Sequence, residues 1–176
     1  MGFTTRLFRR GWQNPDPDKR RKAVEELDDI ELLKKVACED SEVSIRKVAL
    51  LRIVDEAFLL ERICAEKSNS LVVAAVRNLR QQDTLAKVAR NTALSVEARV
   101  AAVELLTDQE VLEPVAMQDS AKQVRMAAAR KVSRHGCLQY LANKDRSSEV
   151  RDLAKSRLDG KNNAMTRAFT KNRTSE

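Results

Sequence analysis

Five arginines recur at matching places in this 176-residue chain: Arg20, Arg46, Arg99, Arg125 and Arg151. A guanidinium is a permanently charged, planar fork of donors, so a row of them could form a phosphate-binding stripe. Three aspartates favour a different use. Asp40, Asp119 and Asp145 each stand six residues before Arg46, Arg125 and Arg151. That register suits loop aspartates that bond helix N-termini and pair with arginines of an adjacent structural copy, which makes a ladder. We take the ladder as the expectation and the stripe as its alternative. A second set is Lys35, Arg62, Lys87, Pro114 and Tyr140, each one residue before an apolar position of a helical pattern. Three cations followed by a tyrosine could receive an acidic peptide, with Tyr140 as the anchor. The alternative is a solvated row, and Glu61 and Glu113 dilute its charge.

Other chemistry is sparse. His135 is the sole histidine and lies beside Gly136, which suits a turn or cap rather than a metal cluster. Cys38, Cys64 and Cys137 are odd in number and show no C-x-x-C spacing, so reduced thiols in a cytoplasmic protein are expected. Cys64 and Cys137 fall on core positions of the pattern described next, and Cys38 has no base nearby to activate it. No phosphate-cradling glycine loop, H-E-x-x-H or nucleophile elbow occurs. The expectation is a non-enzymatic chain with no cofactor and no metal.

The elements that position these residues repeat. Ala23, Ala49, Ala75, Ala102, Ala128 and Ala154 are spaced by 26, 26, 27, 26 and 26 residues. Around them, apolar residues recur at i, i+3, i+4 and i+8, as in "VSIRKVALLRI", "AKQVRMAAARKV" and "SEVRDLAKSRL". This is one stripe of an amphipathic helix of about three turns, with a small residue where a second helix can approach closely. A second skeleton fills the gaps: Leu33–Val36–Ala37, Leu60–Ile63–Cys64, Leu85–Val88–Ala89, Leu112–Val115–Ala116 and Leu138–Leu141–Ala142. Capping-box patterns at Thr107/Glu110 and, more loosely, Asp28/Glu31 open two of these helices. Each copy reads as helix A, a tight turn, helix B and a short polar loop. A pair of about 26 residues cannot bury its stripe alone, so stacking is required and the class is all-α, an α-solenoid.

The loop aspartate and the early arginine in "EDSEVSIRKVA", "QDSAKQVRMAA" and "KDRSSEVRDLA" give a unit that resembles HEAT-like repeats, in particular the short phycobilin-lyase-type and leucine-rich-variant forms. The resemblance covers residues 14–158, about five and a half helix pairs. The opening "LFRRGWQNPDPDKRRKAVEEL" also resembles the N-terminal repeat region of certain bacterial proteins of unknown function. The family implies a right-handed superhelix, Asp–Arg ladders between repeats, and B helices on the concave face. On that face Lys35, Arg62, Lys87 and Tyr140 would meet a partner. Two departures stand out: Val72 occupies the arginine position of the third copy, and Pro114 falls inside a B helix, where a kink or a shortened helix is expected.

The net charge of +7 belongs to the ends. Residues 1–22 carry +5, residues 23–160 carry −1 and residues 161–176 carry +3. Residues 1–13 place Phe3, Leu7, Phe8 and Trp12 among Arg6, Arg9 and Arg10. They read as a cap on the first repeat, with Trp12 near Leu27, or alternatively as an amphipathic segment for acidic membranes or nucleic acid. The final A helix, 148–158, should stop at Asp159–Gly160, with a polar, disordered tail over 159–176. No apolar run reaches the roughly 18 residues of a membrane span, and no signal-peptide h-region is present at the start. The functional expectation is a protein- or peptide-binding scaffold in the cytoplasm. Nucleic-acid binding through the basic ends is the alternative, and a lyase-type enzyme by analogy of fold a further one. The near-neutral body argues against a nucleic-acid cradle.

Overall fold

The computed structural model describes the backbone of residues 11–173 and the side chains of residues 11–160. The described residues form eleven helices and no strand. In chain order these are α1 (Pro17–Glu25), α2 (Ile30–Glu39), α3 (Val43–Arg52), α4 (Glu56–Ala65), α5 (Asn69–Arg77), α6 (Gln82–Arg90), α7 (Val96–Leu105), α8 (Gln109–Gln118), α9 (Lys122–Lys131), α10 (His135–Lys144) and α11 (Ser148–Arg173). Odd-numbered helices are the A helices and even-numbered ones the B helices. The chain divides into two compact units, with the boundary between Val88 and Ala89.

Several helix starts carry a side-chain cap. Asp29 accepts from the amides of Glu31 and Leu32 at 3.1 Å, Asp55 from Phe58 at 3.1 Å, Ser95 from Ala98 at 3.2 Å and Asp108 from Glu110 at 2.9 Å. Side-chain oxygens thus satisfy N–H groups that have no partner within the helix. The caps are Asp29 and Asp108, one residue after the expected Asp28 and Thr107.

Packing follows the alanine column. Ala49, Ala75, Ala102, Ala128 and Ala154 are fully buried, whereas Ala23, in the terminal copy, is half-buried. In the N-terminal unit α3 packs against both α1 and α5, and in the C-terminal unit α9 packs against both α7 and α11. Small side chains at these crossings let the A backbones approach closely. The widest sequential contacts are between a B helix and the A helix after it: α2–α3, α4–α5, α8–α9 and α10–α11. The unit of packing is therefore the hairpin B–loop–A, rather than helix A with the B helix that follows it.

Four expectations need correction. The B-helix skeleton in α4 is Leu59–Ile63, not Leu60–Ile63–Cys64: Leu59 and Ile63 are buried, Leu60 is half-buried and Cys64 is exposed. Leu59 also restores the spacing of the leucines at 33, 59, 85, 112 and 138. Pro114 does not shorten its helix, since α8 runs ten residues like its neighbours. A proline removes the N–H that would bond the Glu110 carbonyl, and the Arg90 guanidinium approaches that oxygen at 3.5 Å. His135 and Gly136 lie in the first turn of α10 rather than in a turn between helices. Finally, α11 does not end at Gly160 but continues to Arg173, and no described glycine has positive φ. Gly160 therefore does not make a left-handed C-terminal cap.

Candidate functional site

The arginine and aspartate columns meet, within each unit, as paired forks. Arg20 Nε and Nη2 donate to Asp40 at 3.0 and 3.2 Å, Arg99 to Asp119 at 3.0 and 3.2 Å, and Arg125 to Asp145 at 2.9 and 3.0 Å. In each pair the aspartate lies twenty residues after its arginine, at the C-terminal end of the next B helix. The remaining arm, Nη1, reaches back to the loop before its own helix. Arg20 bonds the Asn14 carbonyl at 2.9 Å, Arg125 that of Asp119 at 2.9 Å, and Arg99 that of Leu94. Arg46 and Arg151 keep the backward bonds without a fork among the described residues, Arg46 to the Asp40 and Ser41 carbonyls at 2.6 and 3.4 Å and Arg151 to the Asp145 carbonyl at 2.7 Å. Each aspartate also accepts an amide two residues on: Glu42 to Asp40 at 2.9 Å, Ala121 to Asp119 at 2.8 Å and Ser147 to Asp145 at 2.8 Å. One carboxylate closes a B–A loop and ties it to the previous A helix.

Electrostatics agree with that geometry. Burial alone would raise the Asp145 carboxyl; the Arg125 fork and the Ser147 amide outweigh it and hold the group below the ordinary carboxylate range. The Arg125 side chain is 2% exposed and that of Arg99 4%. Neither can meet a phosphate from solvent, so these two residues are not part of a phosphate stripe. Val72, which replaces the arginine in α5, is buried as an apolar core residue.

The expected column of B-helix residues does not form as written. With Leu59 as the core leucine, the residue in register with Lys35 and Lys87 is Glu61, whose side chain is 71% exposed. Arg62 turns toward α2, with Nη1 3.7 Å from Cys38 Sγ and a buried Nε that has no partner among the described residues. Lys35 is exposed, its ammonium 5.6 Å from the centre of the Trp12 ring. Trp12 thus sits by Lys35, half-buried, and the backbone of Gly11 comes so close to Ala23 that a Cβ there would lie 2.7 Å from the alanine methyl. Phe3, Arg6, Leu7, Phe8, Arg9 and Arg10 lie outside the described residues. Lys87 is exposed. Within each unit the A helices approach one another more extensively than the B helices do.

Tyr140 does lie on an open surface of the C-terminal unit, 47% exposed. Two hollows meet there. One, of about 340 Å³, is bordered by Arg90, Thr92, Pro114, Gln118 and Asp119. The other, of about 180 Å³, is bordered by Met117, Gln118, Tyr140, Lys144 and Arg146. Gln118 belongs to both. Of the remaining sequence candidates, Cys38 is exposed, and burial pushes the Cys137 thiol upward, the direction of an inert core residue.

Sequence reasoning missed a second repeated device. Residues one before the last core position of helix A donate to the carbonyl end of the preceding A helix. Arg52 bonds the Val24 carbonyl at 3.0 Å and also reaches Glu25; Asn78 bonds Leu50 at 3.2 Å and also Ile53. Lys131 reaches Glu104, and Arg157 bonds Ala129 and Val132 at 2.6 Å each. These donors add a partner to carbonyls at helix ends, where regular intrahelical amides run out; Val24 and Leu50 also accept the Leu27 and Ile53 amides at 3.3 Å each. The signal was a donor at one register, Arg52, Asn78, Lys131 and Arg157, disguised by three different side chains. A third device recurs at helix entries. Glu56 accepts from the Arg80 and Gln81 amides at 2.7 Å each, and Gln109 from the Ser133 amide at 2.7 Å.

No helix among the described residues is long and apolar enough to cross a membrane. No family model matches the chain, and no curated protein or solved structure is significantly similar to it.

Proposed function

We propose that the chain is an α-solenoid of HEAT-like helix pairs, working as a non-catalytic scaffold that holds a protein or peptide on its B-helix surface. The carrying observation is where the polar chemistry goes. Arg99, Arg125, Asp119 and Asp145 are consumed in holding copies together, as are Asn78 and Arg157. What remains exposed on the B helices, including Lys87, Met117, Tyr140 and Lys144, is a recognition surface without a nucleophile–base pair. The repeating alanine column and the B–loop–A hairpins support stacking as the architecture.

The test is co-purification of the chain from its host followed by amine crosslinking and mass spectrometry. The expected result is a stoichiometric partner linked to Lys35, Lys87 and Lys144 of the B helices in preference to Lys47, Lys122 and Lys155 of the A helices. A chain that instead retains only nucleic acid, released by salt, contradicts the scaffold reading.

A further inference from the structure

The two hollows of the C-terminal unit lie on neighbouring B helices in matched register. Pro114 and Gln118 on α8 correspond, 26 residues on, to Tyr140 and Lys144 on α10. On each helix the two residues are four apart and share a face. Met117 and Tyr140 are among the few large apolar side chains left exposed, at 36% and 47%.

The charge around them has one sign. The carboxylates that border the hollows are Asp119 and Asp145, locked to Arg99 and Arg125. Glu110 and Glu113 on α8 are drawn to Arg134, the latter at 3.2 Å. Arg146 donates to the Asp119 and Ser120 carbonyls at 2.9 and 2.6 Å, neutralising the carbonyl end of α8. Arg90 at one end and Lys144 at the other have no carboxylate partner among the described residues. Two cations without a carboxylate partner therefore flank an apolar strip of Pro114, Met117 and Tyr140, and the Arg90 guanidinium also approaches the Glu110 carbonyl at 3.5 Å.

We propose that this face binds an extended acidic peptide segment carrying an apolar or aromatic side chain between two carboxylates. The inference deepens the scaffold reading and rests on it. Neighbouring helices lie about 8–10 Å apart. An extended chain advances about 3.3–3.6 Å per residue, so about two or three residues cross from one hollow to the other. The central side chain packs on Tyr140 and Met117, and the flanking carboxylates meet Arg90 and Lys144. Nucleic acid fits less well, because a single exposed aromatic ring and two free cations make a short stacking platform with little phosphate neutralisation.

The experiment selects binders from a displayed random library of peptides about twelve residues long on the purified full chain, then titrates labelled hits by fluorescence anisotropy. Expected hits carry two acidic residues around an apolar one and bind more weakly as salt rises. Tyr140→Ala and Lys144→Glu should each weaken them about five- to tenfold, while Lys47→Glu on α3 leaves them unchanged. Circular dichroism and urea midpoints check that the variants remain folded. Hits that are basic or neutral, or acidic hits indifferent to both α10 changes, overturn this site and leave the scaffold reading standing. No peptide hit, together with salt-sensitive binding of a labelled oligonucleotide, overturns both.

Discussion

The two units use the same residue types to different depths. In the C-terminal unit Arg99 and Arg125 form consecutive buried forks on Asp119 and Asp145. Among the described residues of the N-terminal unit only Arg20 makes such a fork, on Asp40, and its side chain is 12% exposed. Arg46 has no such fork and settles for the Asp40 and Ser41 carbonyls at 2.6 and 3.4 Å. The residue twenty beyond Arg46 is Glu66, whose carboxylate binds the Ser68 amide at 2.9 Å. One extra methylene keeps the loop-closing role and loses the link between copies. The comparison teaches that the aspartate has two separable jobs, and that the C-terminal unit depends on both.

The largest test of that difference removes a buried partner. Arg125→Ala leaves the Asp145 carboxylate buried without its fork, and the urea midpoint should fall by the equivalent of about 3–5 kcal/mol. Arg20→Ala, closer to water, should lower the midpoint by clearly less in the same measurement. Equal losses would mean that the burial difference is unimportant. Replacing Arg125 and Asp145 together by Met and Leu should recover most of the stability, because matched apolar residues avoid the desolvation of both charges.

The alanine column offers the next step. Ala128→Leu places a large side chain where α9 crosses its neighbours and should destabilise by about 1–3 kcal/mol in thermal or urea unfolding. Asn78→Ala, in the N-terminal unit, removes the side-chain donor from the buried Leu50 and Ile53 carbonyls and should cost about 1–2 kcal/mol. Asn78→Asp should be no better, since a carboxylate cannot donate to those oxygens.

These variants also mark what was legible in the residues. The alanines could be read because one residue type serves every copy, and the arginine–aspartate register because both partners are invariant in kind where they occur. The carbonyl-capping column was not legible: arginine, asparagine and lysine share only the ability to donate. The α4 register went astray because Leu59 and Leu60 are adjacent and equally apolar, and only burial separates them. Tyr140 is exposed, as an anchor would have to be, but its neighbour is Lys144, one turn along the same helix, rather than Arg62.

Acid separates the buried fork from the surface pairs. The folded-state pKa of Asp145 is depressed, so its contribution is present above the unfolded value of about 3.9 and disappears as pH falls through the lower folded value. Glu149, exposed and held to about 2 by Lys122 at 2.6 Å and by the Ser147 hydroxyl, should titrate in the same direction. Urea midpoints measured from roughly pH 6 down to pH 3 should fall more steeply for the native chain than for the Met/Leu replacement of Arg125 and Asp145. Parallel slopes would show that this pair does not govern the acid limb.

The smallest effect is the most pointed. Glu66→Asp gives the N-terminal unit the residue that Asp40, Asp119 and Asp145 supply elsewhere. The shorter carboxylate can still accept the Ser68 amide, while its second oxygen turns toward the Arg46 fork. Arg46 is half-buried and already aligned by the Asp40 carbonyl, so little side-chain entropy remains to be lost. A gain of about 0.5–1 kcal/mol in the urea midpoint is expected, and it should vanish in the Arg46→Lys background, where a point charge cannot make the two-pronged contact. A gain that survives in that background would come from the loop alone, and the division of the aspartate's work between closing the loop and joining copies would then be mistaken.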